Sequence, residues 1–283
     1  MTHTHALALG SRWLKHSQSP ELDAEVLLAK LTRASRSQLL ARGNQAVPWP
    51  TLVTYVWLLL RARRGRPIAY LVGAREFYGR SFKVTPATLV PRPETEILVE
   101  QALATIRANS SLNQVVDVGT GSGCIAITLA LELPRLTVYA SDASGAALTV
   151  ARRNAKKYAV DERLQLLQGN LLEPFIQRHL LTPLTLVVAN LPYLRPAEYI
   201  RALRFEPRSA LVGGVDGITL YRELFLQLKA LTPEQQPRVI LLEVHPVTAA
   251  KVAALAKNIF PACQVQLTPD LSHNLRVLGL SLA

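Results

Sequence analysis

The sequence is short of cysteine and of acidic residues, and it has no long apolar run. Each shortage closes off a class of protein. Two cysteines in 283 residues, Cys124 and Cys263, are too few for a disulfide framework, and none of the six histidines stands at zinc-ligand spacing with a cysteine. A reducing, cytoplasmic setting and no metal site are therefore expected. The longest uncharged stretch, residues 43–60, is interrupted by Gly43, Asn44, Pro48 and Pro50, so no membrane span of about 20 apolar residues is expected. No secretory signal is expected either. The first twenty residues carry Arg12 and Lys15 without an acid, as an organelle transit segment would, but they run straight into a helical pattern and are read as part of the fold. His3 and His5 are read as solvated imidazoles on a floppy tail.

What is present is enough for a packed interior. Apolar residues make up 49% of the chain and charged residues 18%, which argues against disorder. At 283 residues, two domains are the natural expectation. Lysine and arginine outnumber acids 32 to 20, a net charge of +12 that would speed encounters with polyanions or an acidic partner. A solvated basic surface explains the same excess.

Periodicity divides the chain. Up to about Tyr70 it reads helical, with Leu22, Val26, Leu27 and Leu31 at three-to-four spacing and Tyr55, Leu58 and Leu59 continuing after Pro50. Phe77, Phe82 and Val84 around Gly79 predict a β-hairpin, and Pro86, Pro91 and Pro93 then break the pattern, with Pro93 suited to the first position of a helix running through Ile106. Apolar strands then alternate with helices. Strands are predicted at 115–118, 137–140, 164–167, 184–189 and 239–244, helices at 124–131, 146–157, 220–228 and 247–259, and two final strands near Val265 and Val277. This alternation implies a mostly parallel, doubly wound sheet. The expected division is a helical docking domain at 1–74, a hairpin linker at 75–92 and a catalytic domain at 93–283.

Three motifs fall at predicted strand ends. Asp117-Val118-Gly119-Thr120-Gly121-Ser122-Gly123 lies between a strand and a helix, where glycines let the backbone approach a ligand and a helix N-terminus offers free N–H groups. A dinucleotide site wants a further glycine where Cys124 stands, so the loop suits a cofactor without a pyrophosphate. A plain tight turn is the alternative. Asp142, 21 residues after Gly121, is placed to accept from both ribose hydroxyls or to cap the helix beginning near Ser144. Asn190-Leu191-Pro192-Tyr193 follows an apolar strand. Pro192 drives Leu191 out of the α region, so the Leu191 carbonyl and the Asn190 side-chain oxygen become two acceptors for an –NH₂ group, while Tyr193 offers a flat face. A purely structural turn is again the alternative.

At these residues the chain resembles the glutamine-N5 methyltransferases that modify peptide chain release factors, the HemK/PrmC family. The resemblance includes Leu22-Asp23-Ala24-Glu25, the segment from Arg63 to Phe82, Arg92-Pro93-Glu94-Thr95-Glu96, Glu206-Pro207-Arg208 and Gly213-Gly214-Val215-Asp216-Gly217. It implies a class I methyltransferase fold with a terminal antiparallel strand, and S-adenosyl-L-methionine as cofactor. It also implies methyl transfer to the glutamine of a release factor Gly-Gly-Gln loop. Gly119, Thr120, Gly121, Ser122, Gly123, Asp142, Asn170, Leu171 and Asn190 would then hold the cofactor, and Asn190, Leu191, Pro192 and Tyr193 the acceptor. Asn170 stands where the family usually has Asp, Leu171 where an aromatic is common, Leu191 in place of a proline, and His245-Pro246 in place of a glycine-containing turn. The resemblance further implies a monomer with no membrane association and no direct need for nucleic acid. Arg61, Arg63, Arg64 and Arg66 are read as a docking surface or as a solvated helix end. Competing readings are a ribosomal protein glutamine methyltransferase, an RNA or DNA adenine-N6 methyltransferase, and a non-catalytic basic binding module.

Overall fold

The structure, a computed structural model, describes residues 1–200 and 203–282. The chain divides into two compact units, Met1–Arg75 and Glu76–Ala283. The first is built from α1 (His3–Trp13), α2 (Pro20–Thr32), α3 (Arg36–Ala41), α4 (Trp49–Arg63) and α5 (Ile68–Val72). Local signals explain the helix ends. Pro20 opens α2 with Glu21 and Asp23 in its first turn and Lys30 in its last, matching the helix dipole, and Ser35 with Gln38 forms a capping box on α3. Leu27, Leu28, Leu39, Tyr55 and Leu59 fill the core of this unit. His3 is not on a floppy tail. It lies buried at the start of α1 with Nδ1 against the Gln45 carbonyl at 3.0 Å, and the Thr2–Ala46 bridge and the Val47 N–H donating to the Met1 carbonyl pin the same segment. Periodicity missed this because the restraint comes from residues more than forty positions away.

The chain crosses from the first unit to the second within β1 (Ala74–Phe77), which forms a hairpin with β2 (Arg80–Lys83) by turning through left-handed Tyr78 and Gly79. Next come α6 (Thr95–Ala108), β3 (Gln114–Val118), α7 (Cys124–Glu132), β4 (Thr137–Asp142), α8 (Gly145–Lys157), β5 (Leu164–Gln168), α9 (Glu173–Ile176) and β6 (Thr185–Asn190). α10 (Thr219–Lys229), β7 (Val239–Glu243), α11 (Pro246–Ile259), β8 (Gln264–Pro269) and β9 (Leu275–Ser281) complete it. Pro93 does not open α6. The Glu96 N–H donates to the Pro93 carbonyl and the Ile97 N–H to that of Glu94, so residues 93–94 form a turn ahead of a helix that starts at Thr95.

The seven-stranded sheet has the order β5-β4-β3-β6-β7-β9-β8, with β9 antiparallel to both its neighbours and the other pairings parallel. Alternate residues serve opposite faces. Val115, Val138, Leu186, Val188 and Leu241 join α6 and α7 on one side; Val116, Val118, Val187 and Leu242 join α10 and α11 on the other. From β3 the chain winds outward to β4 and β5, then returns to lay β6 on the opposite flank. This reversal opens a crevice at the carboxyl ends of β3 and β6, the usual ligand position in such sheets.

Candidate active site

A cavity of about 230 Å³ fills that crevice. Its walls come from the loop after β3 (Gly119 to Ser122), the end of β4 (Asp142), Asn170 and Leu171 after β5, and Asn190, Leu191 and Pro192 at the end of β6. Leu89, Pro91, Arg92 and Thr95 add a further wall. Residues predicted from three separate stretches of sequence thus line one space.

The loop after β3 keeps its shape because Gly119, Gly121 and Gly123 all have positive φ. Asp117, fully buried beneath it, accepts from Thr120 Oγ1 at 2.6 Å and from the Ala126 N–H of α7 at 3.2 Å, while its Oδ1 has no partner. Burial pushes its pKa up to about 7, with those two hydrogen bonds opposing the rise and Asp142 adding to it. Asp117 is a supporting residue under the loop that a reading centred on glycines passes over. Its signal in the sequence was an acid among the valines of a predicted strand, one residue before its end.

Asp142 does not cap α8; it holds the residue that does. Oδ2 accepts from the Gly121 N–H at 2.9 Å and Oδ1 from the Ser144 N–H at 2.8 Å, while Ser144 itself caps α8 by accepting from the Ala147 N–H. The carboxylate ties the loop to the next strand. Each of its oxygens has a second acceptor site, and the residue faces the cavity. Burial raises its pKa, against the hydrogen bonds from Ser144 and Gly121. Ser122 Oγ, in the same wall, is buried and unpartnered. A glycine cradle, a carboxylate with free acceptor sites and a mostly apolar surround fit a nucleoside without a pyrophosphate.

Asn170 and Leu171 are held from behind. Asn170 Nδ2 donates to Glu223 of α10, the Leu172 N–H donates to Gln227 Oε1 at 2.8 Å, and Ser141 Oγ donates to the Leu171 carbonyl at 2.8 Å. Leu171 adopts φ +49, an uncommon value for a residue with a side chain, and contributes an apolar surface to the cavity where an aromatic would stack.

On the acceptor side, Asn190 Nδ2 donates to Thr95 Oγ1 at 3.1 Å. The Leu191 side chain is buried in the core against α10 and α11, so its backbone is what it offers the cavity. A glycine clamps this turn. A Cβ on Gly213 would sit 2.0 Å from the Pro192 carbonyl oxygen, an impossible contact, and the Leu194 and Gly213 N–H groups donate to the Leu211 and Leu194 carbonyls at 2.9 Å. Tyr193 is different from the other three residues of its motif. Its ring stacks on His245 with centroids 5.1 Å apart and is not part of the cavity wall.

The first 73 residues match the PrmC N-terminal domain family over positions 5–73, and positions 94–200 match the methyltransferase small domain family. A release factor glutamine methyltransferase of Moorella thermoacetica is 40% identical over 258 residues, covering 89% of this chain and 88% of its own. The chain belongs to the release factor glutamine methyltransferase family. Another member, from Neisseria gonorrhoeae, is 39% identical over 92% of this chain and 93% of its own. Among solved structures, the N-terminal domain of human METTL16 in complex with SAH superposes with a TM-score of 0.51 at 17% identity, covering 73% of this chain and 77% of that one. At that identity the likeness concerns the fold, the class I methyltransferase fold expected from the sequence. Membership also accounts for the Arg92-Pro93-Glu94-Thr95-Glu96 and Glu206-Pro207 segments, which meet in space: Arg92 pairs with Glu206 at 2.6 Å, and Glu206 Oε2 accepts from the Val90 N–H at 3.2 Å.

Among the described residues, no cluster of histidine, cysteine or acid could hold a metal ion, and no helix is long and apolar enough to cross a membrane.

Proposed function

We infer that this protein methylates the side-chain amide nitrogen of the glutamine in a release factor Gly-Gly-Gln loop, using S-adenosyl-L-methionine. The observation that carries the reading is the meeting of Asn190 and the Leu191 backbone with the glycine loop and Asp142 in one cavity, in a chain of this family. The cofactor supplies an electrophilic methyl group on a sulfonium. When it is bound, Asp142 would receive its ribose hydroxyls, the Gly119 to Gly123 loop would hold its amino acid portion, and Asn170 and Leu171 would border its base.

An amide nitrogen is a weak nucleophile because its lone pair is delocalised. The chain's contribution is to hold that nitrogen. Asn190 Oδ1 and the Leu191 carbonyl accept its two hydrogens in the amide plane, and both bonds strengthen as positive charge grows on nitrogen during transfer. Pro192 fixes the backbone that aims the carbonyl. Tyr193, stacked on His245, stiffens the rim of the turn.

An adenine amine carries the same two hydrogens, so the acceptor pair alone does not separate protein from nucleic acid substrates. Membership in this family favours the protein. We assign docking of the release factor to the helical unit, residues 1–74, where Arg61 lies over the Trp57 ring at 4.3 Å beside Arg63, Arg64 and Arg66. We further propose that the protein acts in the cytoplasm as a monomer, without a nucleic acid requirement. Incubation with the cofactor and an intact release factor, followed by peptide mass spectrometry, should place one methyl group on the Gly-Gly-Gln glutamine. Methyl found on adenine of duplex DNA or ribosomal RNA instead would reverse the assignment.

A further inference from the structure

Three side chains far apart in sequence meet behind Asn190. On β6, Leu186, Val188 and Asn190 alternate onto the face covered by α6; on β7, Val239, Leu241 and Glu243 do the same, and Asn190 and Glu243 are register partners. Thr95, the first residue of α6, is buried against both. Its Oγ1 accepts from Asn190 Nδ2 at 3.1 Å, and among the groups that oppose the burial-driven rise of the Glu243 pKa its hydroxyl comes first. Glu243 is buried, and its Oε2 has no partner. A buried carboxylate with one oxygen unpartnered is costly to keep and asks for a use.

The direction of these bonds is not free. A threonine hydroxyl has one proton, and an ionised carboxylate only accepts. The Thr95 proton therefore points at Glu243, its lone pairs face Asn190, and the Asn190 amide can satisfy them only with its –NH₂ end. Oδ1 is left turned away from Thr95. The two ends of an amide are nearly the same size, so packing alone does not choose between them. We propose that Glu243, acting through Thr95, is a positioning residue that sets which end of the Asn190 amide faces the acceptor, and so makes the site a receiver of –NH₂ groups. The proposal rests on the acceptor role given to Asn190 above.

Reversing the charge reverses the relay. A protonated Glu243 can donate to Thr95, which can then donate to Asn190 Oδ1, turning the amide –NH₂ toward the –NH₂ of the substrate. Donor would then face donor. Glu243 is pushed up to about 7 by burial, against Thr95, Arg276 and Arg92 and with Glu94. The other ionisable groups facing it are Tyr193 beyond β6 and Tyr221 on α10, whose hydroxyl donates to the Glu243 backbone carbonyl at 2.8 Å.

The test is single-turnover methylation of a Gly-Gly-Gln release factor from about pH 6 to about pH 9, a range that brackets neutral titration, at saturating cofactor. Alongside it, the ¹⁵N side-chain amide signal of Asn190 is followed in the free protein. Wild-type turnover should fall on the acid side as the Asn190 signal shifts. Glu243→Leu, which leaves the Thr95 hydroxyl no carboxylate to donate to, should lose roughly 10- to 100-fold in turnover, the scale of a misaligned reacting group. It should also flatten the acid limb, abolish the shift and leave the release factor KM within about 3-fold, a change under 1 kcal/mol. Thr95→Val should copy that loss, Thr95→Ser should restore most of it, and the double variant Thr95→Val/Glu243→Leu should be no worse than either single one. Full turnover in Glu243→Leu, or an acid limb and a shifting Asn190 signal that survive in it, would overturn the relay. If Asn190→Ala is itself fully active, the acceptor reading has failed; if Asn190→Ala is dead while Glu243→Leu is normal, only the relay has.

Discussion

The two sides of the cavity are built by different means. On the β4 side, Asp142 is fixed by backbone N–H groups of Gly121 and Ser144, the latter two residues along the chain. On the β6 side, Asn190 is fixed by the side chain of Thr95, 95 residues away, in front of Glu243 from another strand. A carboxylate is symmetric and needs only to be held. An amide has a head and a tail, and must be told which way to face. The cofactor side is therefore a local structure, while the acceptor side depends on three elements arriving together.

The largest effect should come from breaking the acceptor side. Asn190→Ala should lower single-turnover methylation by about 10²- to 10³-fold, the loss typical of removing one group that stabilises developing charge. Release factor affinity should change far less because docking is spread over a wider surface. Near-wild-type turnover in a folded variant would remove Asn190 from the mechanism, and Asn190→Asp, which keeps an acceptor but adds charge, should retain partial activity.

The cofactor side should break more gently. Asp142→Ala should weaken cofactor binding by about 1.5–3 kcal/mol, the range for hydrogen bonds to a charged group. Calorimetry is the measurement, and an unchanged affinity would leave Asp142 with only its structural bonds.

These unequal dependencies explain what could be read in advance. The strand and helix order was visible because each element carries its own period of 2 or 3.6, and the glycine loop, Asp142 and Asn190 stood out because each ends an apolar strand. Glu243 ends an apolar strand too, and Asp117 stands one residue before the end of another. They were passed over because their roles lie in what they touch, Ala126 and Thr95, and no spacing rule connects positions 95, 190 and 243. The stacking of Tyr193 escaped notice for the same reason: its partner, His245, arrives from beyond β7. The start of α6 at Thr95, two residues later than Pro93 suggested, is what puts a hydroxyl rather than a helix backbone beside Asn190.

A pH measurement sharpens the comparison further. Asp117, beneath the cofactor loop, is held at about 7 by burial, above the ordinary carboxylate value. With a raised folded value, its contribution to stability is fully present below the unfolded pKa and is lost as pH climbs from about 4 to 7. Urea unfolding should therefore show wild-type stability declining over that window, with a shallower decline in Asp117→Asn, whose amide keeps an acceptor for Thr120 and Ala126. Equal slopes in the two proteins would mean that Asp117 is ionised throughout.

The smallest effect should follow Leu191→Pro. The backbone carbonyl remains, so turnover should stay within about 3-fold of wild type, under 1 kcal/mol in barrier. Because the leucine side chain is buried, thermal stability should drop by about 1–3 kcal/mol from lost packing. A turnover loss as large as that of Asn190→Ala would show that residue 191 contributes more than its carbonyl.

The placement of β9 has a consequence for when this site can exist. β9 lies between β7 and β8, and its Val277 sits opposite Glu243. While the chain is still emerging during synthesis, β3, β4, β5 and β6 can already assemble, but β7 has no outer neighbour until residues 275–281 have been made. Pairings of such long sequence separation are slow to form and leave an open strand edge while they wait. The cofactor half of the cavity can thus mature early, whereas the strand that carries Glu243 is locked only once β9, more than thirty residues further along the chain, has been made.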